Sequence, residues 1–205
     1  MEDGEASTEV QTVSAGVLPK APNTDLKKLL FFKVYKRRWF VLLVLCLLNC
    51  SNATIWLTFA PVADQSAQFL KVTLGEINWL SLVYMVVAIP LSFGTTWMLD
   101  TCGLRITLIL GAWLNAFGAL LRFFGTFTGP GPSSPYPIVM LGQTLGALAQ
   151  PLIIFTPTKL AALWFPDHQR ATANMIASMS NPLGILLASI LSPMMAKTSA
   201  DIPQL

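Results

Sequence analysis

Residues 39–63 read WFVLLVLCLLNCSNATIWLTFAPVA, a run without a single lysine, arginine, aspartate or glutamate. A helix crosses the hydrocarbon core of a bilayer with about 20 mostly apolar residues, and this run is longer than that. Four more stretches nearly free of charge follow, at 77–99, 106–127, 136–158 and 171–196. Backbone polar groups in lipid must be satisfied within the segment, which a helix does alone. The pattern therefore predicts an all-α membrane protein with five transmembrane helices. Residues 1–38 are expected to form a polar N-terminal tail with a basic juxtamembrane segment, and 197–205 a short tail beyond the last span. Prolines 61, 90, 151, 157 and 182 fall inside the runs. Neighbouring groups in a bundle can take up the carbonyls they free.

Composition supports lipid as the solvent. Apolar residues make up 54% of the 205 positions and charged residues 11%, against about a quarter charged in soluble domains. Mean hydropathy is +0.60. A net charge of +3 is too small to point to nucleic acid. Cys46, Cys50 and Cys102 have neither disulfide-framework nor zinc spacing, so no metal or cofactor is expected. No apolar stretch of signal-peptide type precedes residue 39, so no cleavable leader is expected.

Basic residues mark the cytoplasmic side. Lys27, Lys28, Lys33, Lys36, Arg37, Arg38, Arg105, Lys159 and Arg170 flank one side of the spans, and Lys71, Arg122 and Lys197 the other. Nine against three places the N-terminus in the cytoplasm and residues 197–205 on the outer or lumenal side. Arg122, near the end of the third run, has the length to snorkel to the interface. Asn49-Cys50-Ser51 and Asn52-Ala53-Thr54 fit the glycosylation pattern. Both lie mid-membrane, beyond the reach of glycosyl transfer. Asp25-Leu26-Lys27-Lys28-Leu29-Leu30 resembles an acidic dileucine sorting signal, and equally fits an amphipathic segment on the anionic inner leaflet. The interfacial reading favours the plasma membrane over endosome or lysosome.

Polar side chains inside spans face the bundle interior or a water-filled path. Asn49, Asn52 and Trp56 share one face of the first span. Gln143 and Gln150 lie seven apart in the fourth, and Asn174, Ser178 and Asn181 form a stripe in the fifth. The third offers little beyond Asn115 and reads as peripheral. Any one amide fits a role as glue between helices. Three stripes together point to an aqueous cavity, in which an indole could hold a cation over its face. Phe59-Ala60-Pro61 and Phe155-Thr156-Pro157 repeat one element three spans apart. That spacing fits the inverted three-plus-three repeats of secondary transporters, and it calls for a sixth span.

The turn after the second span, Asp100-Thr101-Cys102-Gly103-Leu104-Arg105, resembles the D-x-x-G-x-R loop signature of the major facilitator superfamily. Thr96 and Thr101 stand where that signature has a glycine and a base. The resemblance implies a gating role for Asp100, Gly103 and Arg105 at the cytoplasmic mouth; a solvated turn is the alternative. Tyr35-Lys36-Arg37-Arg38-Trp39, Ile77-Asn78-Trp79-Leu80-Ser81 and Ala161-Ala162-Leu163-Trp164-Phe165 resemble solute carrier family 49, the heme and choline carriers named for the feline leukaemia virus subgroup C receptor. The runs at 47–54 and 164–175 look closest to a single member. The resemblance covers roughly residues 35–195 and implies an incomplete major facilitator N-terminal half.

Choline-carrying relatives hold the quaternary ammonium against a tryptophan of the first span, assisted by a glutamine of the fourth. Trp56 and Gln150 match those positions, and Asn49, Asn52 and Asn174 are further candidates for substrate contact. Relatives have a glutamine immediately before the tryptophan, where this chain has Ile55. The implied function is transport of a small organic solute, choline-like or heme-like, by a carrier of which these five spans are a truncated form inactive alone. The rival class is a non-transporting membrane partner that docks on the full-length carrier, or another membrane chain, through glycine and amide faces. An enzyme is not expected: His168 is the one histidine, and no nucleophile–base set occurs within the spans.

Overall fold

The computed structural model describes residues 37–127, 135–198 and 201–202. Every regular element among them is helical: α1 (Arg37–Leu57), α2 (Ala63–Leu70), α3 (Leu74–Thr101), α4 (Gly103–Phe127), α5 (Tyr136–Ile154), α6 (Thr156–Trp164) and α7 (Asp167–Met195), with a 3-10 turn at Ala60–Val62. Five helical segments are long and apolar enough to span a membrane: Arg37–Leu70, Leu74–Thr101, Gly103–Phe127, Tyr136–Trp164 and Asp167–Met195. The tail before Arg37, with its lysines and dileucine pair, lies outside the described residues.

The two Phe-x-Pro elements interrupt the first and fourth spans. α1 stops at Leu57, and Pro61 sits in the 3-10 turn that leads to α2. α5 stops at Ile154 and Pro157 opens the first turn of α6, where a proline's missing N–H costs nothing. At both breaks a threonine hydroxyl bonds back to the preceding turn: Thr58 Oγ1 donates to Thr54 O at 2.5 Å, and Thr156 Oγ1 to Leu152 O at 2.6 Å. The first helical segment runs on past Ala63 to Leu70, through a stretch that is amphipathic rather than apolar. Its buried side is Ser66 and Leu70.

Short connections force neighbouring helices to run antiparallel. α2 ends on Lys71 at φ 55°, whose N–H returns to Ala67 O. Thr73 then caps α3, its hydroxyl accepting from Glu76 N while the Glu76 carboxylate accepts from Thr73 N at 2.8 Å. α3 and α4 are separated only by Cys102, and α4 opens on Gly103 at φ 82°, a left-handed value that glycine adopts without strain.

A tight seam joins α4 and α5. Gly111, Gly118 and Gly125 recur at every seventh position of α4, and Gly142 and Gly146 answer from α5. A Cβ at Gly118 would lie 2.7 Å from Gly142 O and 2.9 Å from Gly146 N, so the two backbones touch. Small residues allow this approach, from which membrane helices draw van der Waals packing in place of a hydrophobic drive. α1 packs mainly on α7, and α3 on α5. Apolar clusters close both ends. Leu42, Leu45, Leu160, Phe165 and Ala177 fill the end that holds the α3–α4 turn. Phe59, Leu70, Ile77, Leu80 and Val139 fill the other. Ala196 and Ile202 join the second cluster, so the stretch after α7 folds back on the bundle. There the Thr198 hydroxyl and N–H donate to the Asp201 carboxylate, holding its pKa below the usual range. Large apolar side chains such as Phe40, Phe93 and Phe127 stay exposed around the outside, as lipid-facing surfaces require.

Candidate substrate site

Trp56 sits in the last turn of α1, one residue before the helix stops. Its indole Nε1 donates to Ser81 O of α3 at 3.2 Å, which fixes the ring's orientation. Tyr84, one turn further along α3, lies against it with centroids 6.0 Å apart and planes tilted by 30°. Tyr84 is 1% exposed. Its hydroxyl stands where a Cβ of residue 146 would be, so Gly146 makes room for it. That hydroxyl has no hydrogen-bond partner.

The two rings form one wall of a cavity of about 340 Å³ between α1, α3 and α5. Gln150, Pro151 and Ile154 line it from α5 with Phe155 just beyond, and Met85, Ala88, Ile89 and Ser92 from α3. Gln150 is half-buried, and no described residue takes a hydrogen bond from its amide or gives one to it. Pro151 beside it removes one helix N–H from the turn that faces the cavity. Apolar walls with a few convergent polar groups are the usual make-up of a small-molecule site.

The other sequence candidates lie elsewhere. Asn49 Nδ2 donates to Ala177 O of α7 at 3.1 Å, and its oxygen accepts from Asn181 at 3.0 Å. Asn52 Nδ2 donates to Asn115 Oδ1 of α4 at 2.9 Å and to Gly146 O of α5 at 3.1 Å. Both asparagines are 1% exposed. These amides tie α1 to α4, α5 and α7, and neither lines the cavity. Gln143 likewise donates to Trp56 O. Asn174 accepts from Thr158 at 3.3 Å where α7 meets α6, apart from Trp56 and Gln150.

At the α3–α4 turn, Asp100 Oδ1 meets Lys159 Nζ at 2.5 Å, tying the end of α3 to α6. Arg105 is exposed and has no ion-pair partner among the described residues. Lys159 served in the sequence only as a charge to be counted. The interaction it makes here could be anticipated from its place three residues after Thr156, at the mouth that Asp100 shares.

Arg122 departs from its expected place. Instead of snorkelling it is 7% exposed, with Nη1 donating to Ile55 O at 2.7 Å and the guanidinium 4.6 Å from the Phe59 ring centroid. Its position four residues after Gly118 and three before Gly125 puts it on the α5-facing side of α4. The third span is accordingly no peripheral element.

Residues 40–202 match the Major Facilitator Superfamily. This chain belongs to that superfamily. Solute carrier family 49 member A3 of Danio rerio is 55% identical over 200 residues, 98% of this chain and 42% of the relative. The Xenopus tropicalis protein of the same description is 54% identical over 165 residues, 79% of this chain and 34% of the relative. The Choline/ethanolamine transporter FLVCR1 of Mus musculus is 37% identical over 159 residues, 78% of this chain and 28% of its own length. The chain therefore spans well under half the length of these relatives. The superfamily is one of solute carriers and not of enzymes, so its members reside in a membrane and handle small molecules.

Proposed function

We propose that this five-span unit supplies the Trp56–Gln150 wall of a carrier for a small hydroxylated amine of the choline or ethanolamine class. The observation that carries the reading is the shared cavity: of the five amide and indole candidates, Trp56 and Gln150 alone line it together. A tryptophan face attracts a desolvated ammonium by about 2 kcal/mol. Gln150's unspent amide can meet a substrate hydroxyl. The mouse relative and a Rattus norvegicus protein, 33% identical, are described as choline/ethanolamine transporters. The heme-like alternative draws nothing from those descriptions, and a cavity of about 340 Å³ suits an amine better than a macrocycle.

Transport needs two halves rocking about a midplane site, so this unit acts with the remainder of a carrier. The end with Arg37, Arg105, Lys159 and Arg170 faces the cytoplasm in this reading, by the excess of basic residues. The Asp100–Lys159 pair lies at that mouth, where making and breaking it would gate the path. Gly118, Gly142, Gly146, Asn49 and Asn52 are occupied within the bundle, which supports the carrier reading over a partner protein that docks through them.

The test is uptake of labelled choline and ethanolamine by cells expressing this chain fused to the remaining spans of the Danio rerio relative. Uptake that disappears with Trp56→Ala and largely survives Trp56→Phe is the expected result. Uptake indifferent to Trp56→Ala, or full uptake by the unfused chain, would overturn the reading.

A further inference from the structure

α1 stops at Leu57, one residue after Trp56. A helix leaves its last four carbonyls without partners in its own ladder, and in α1 these belong to Thr54, Ile55, Trp56 and Leu57. Inside a membrane span water does not meet them, so the protein must. Three side chains do. The Thr58 hydroxyl donates to Thr54 O, Arg122 Nη1 to Ile55 O at 2.7 Å, and Gln143 Nε2 to Trp56 O at 3.2 Å. Thr58 belongs to the break itself, whereas Arg122 and Gln143 reach across from α4 and α5. Arg122 also holds the far side of the break, with its guanidinium 4.6 Å from the ring centroid of the buried Phe59. Gly142 lets the arginine stem pass, since a Cβ there would lie 2.9 Å from Arg122 Cγ. Among the described residues Arg122 forms no ion pair. Its charge is met instead by the Phe59 ring and by the carbonyl end of α1, where a helix carries about half a negative charge.

We infer that Arg122 and Gln143 are positioning residues for Trp56: they clamp the backbone of the broken helix end and so hold the indole over the cavity it shares with Gln150. The consequence for substrate rests on the reading of Trp56 as the ammonium contact; the clamp itself does not. Neither Arg122 nor Gln143 lines that cavity, so both act through Trp56 and not on the substrate. The indole Nε1 is already tied to Ser81 O of α3. With Gln143 on its carbonyl, Trp56 is held at both ends, by α3 at the ring and by α5 at the backbone. Arg122 fixes the peptide just before it. A cation must sit over the ring face within about 6 Å of its centroid to be attracted. A last turn released from these caps would let that face move, and the attraction would weaken without any change in the cavity's lining.

Trp56 is made the one indole of the chain by replacing Trp39, Trp79, Trp97, Trp113 and Trp164 with phenylalanine, and its mobility is read by fluorescence anisotropy decay. Arg122→Met and Gln143→Leu should each enlarge the fast component of the decay, and Arg122→Lys, which keeps a donor for Ile55 O, should largely restore it. Phe59→Leu leaves the Arg122 hydrogen bond in place and should give the same change at smaller size, even if Arg122→Met does not fold. In the fused carrier, Gln143→Leu should raise the KM for choline about fivefold, the loss of about 1 kcal/mol of cation–π attraction, with the maximal rate kept. Asn181→Leu, which frees α7 from Asn49 of α1 away from the break, should lower melting and move neither reading. Unchanged Trp56 mobility in Gln143→Leu and Phe59→Leu overturns the inference, as does an equal increase in Asn181→Leu. A looser Trp56 with an unchanged KM upholds the clamp and overturns instead the reading of Trp56 as the ammonium contact.

Discussion

Helix α5 shows two opposite uses of the same kinds of residue. Towards α4 it presents Gly142 and Gly146 and leaves no space, with backbone against backbone. Towards α1 and α3, one turn further on, it presents Gln150 and Pro151 to an open cavity. The amides divide in the same way. Asn52 and Gln143 spend their N–H groups on neighbouring carbonyls, while Gln150 keeps its amide free. An amide in a membrane helix is therefore not evidence of a ligand site until its partners are counted. The seam makes the bundle, and the unsatisfied groups around Trp56 are what a substrate can use.

The largest effect should come from closing the seam by force. Gly118→Val places atoms inside the space of Gly142 O and Gly146 N, where overpacking costs about 1–3 kcal/mol or more. Thermal unfolding in detergent should show loss of the folded bundle, whereas Gly94→Ala, whose Cβ meets nothing within 4 Å, should be neutral. Asn52→Leu comes next. It removes the bonds to Asn115 and Gly146 O, which in membranes is worth about 0.6–1.7 kcal/mol. Melting should fall accordingly while the relative affinity for choline and ethanolamine stays unchanged; a changed preference would blur the division drawn above. Gln150→Ala should do the reverse, leaving melting unaltered and weakening choline binding by several-fold in the fused carrier. Lys159→Ala should be the mildest for stability, since an exposed pair contributes about 0–1 kcal/mol. Its expected signature is a change in transport rate without a change in melting.

Hydropathy made the five spans legible, because lipid demands long apolar runs and the chain supplies them. It could not show α2, whose Asp64, Gln65, Ser66 and Gln68 look like loop residues although Leu70 is wholly buried. The repeated Phe-x-Pro element read as a mark of an inverted repeat with prolines tolerated inside the spans; the structure interrupts the first and fourth spans there. Arg122 was misplaced for a geometric reason. Distance from a helix end says how far a side chain must reach, but azimuth decides whether it can, and the Gly118–Gly125 spacing carried that azimuth. Trp56 and Gln150 were paired through family resemblance. From residues alone, Trp56 read with Asn49 and Asn52 on one face, and nothing in that stripe tells which amides a neighbouring helix will consume. Tyr84 was missed because a tyrosine between Val83 and Met85, inside an apolar run, reads as core.

The central claim is that a small ammonium occupies the space between Trp56 and Gln150. The most direct test is to place a cysteine at that spot. Gln150→Cys is made in the fused carrier with Cys46, Cys50 and Cys102 replaced by serine, and labelling by a small methanethiosulfonate reagent is timed with and without choline. Choline should slow labelling at least tenfold when Trp56 is present and leave it unchanged in Trp56→Ala. Equal labelling rates with and without choline in the Trp56 protein would contradict the claim and place the substrate elsewhere.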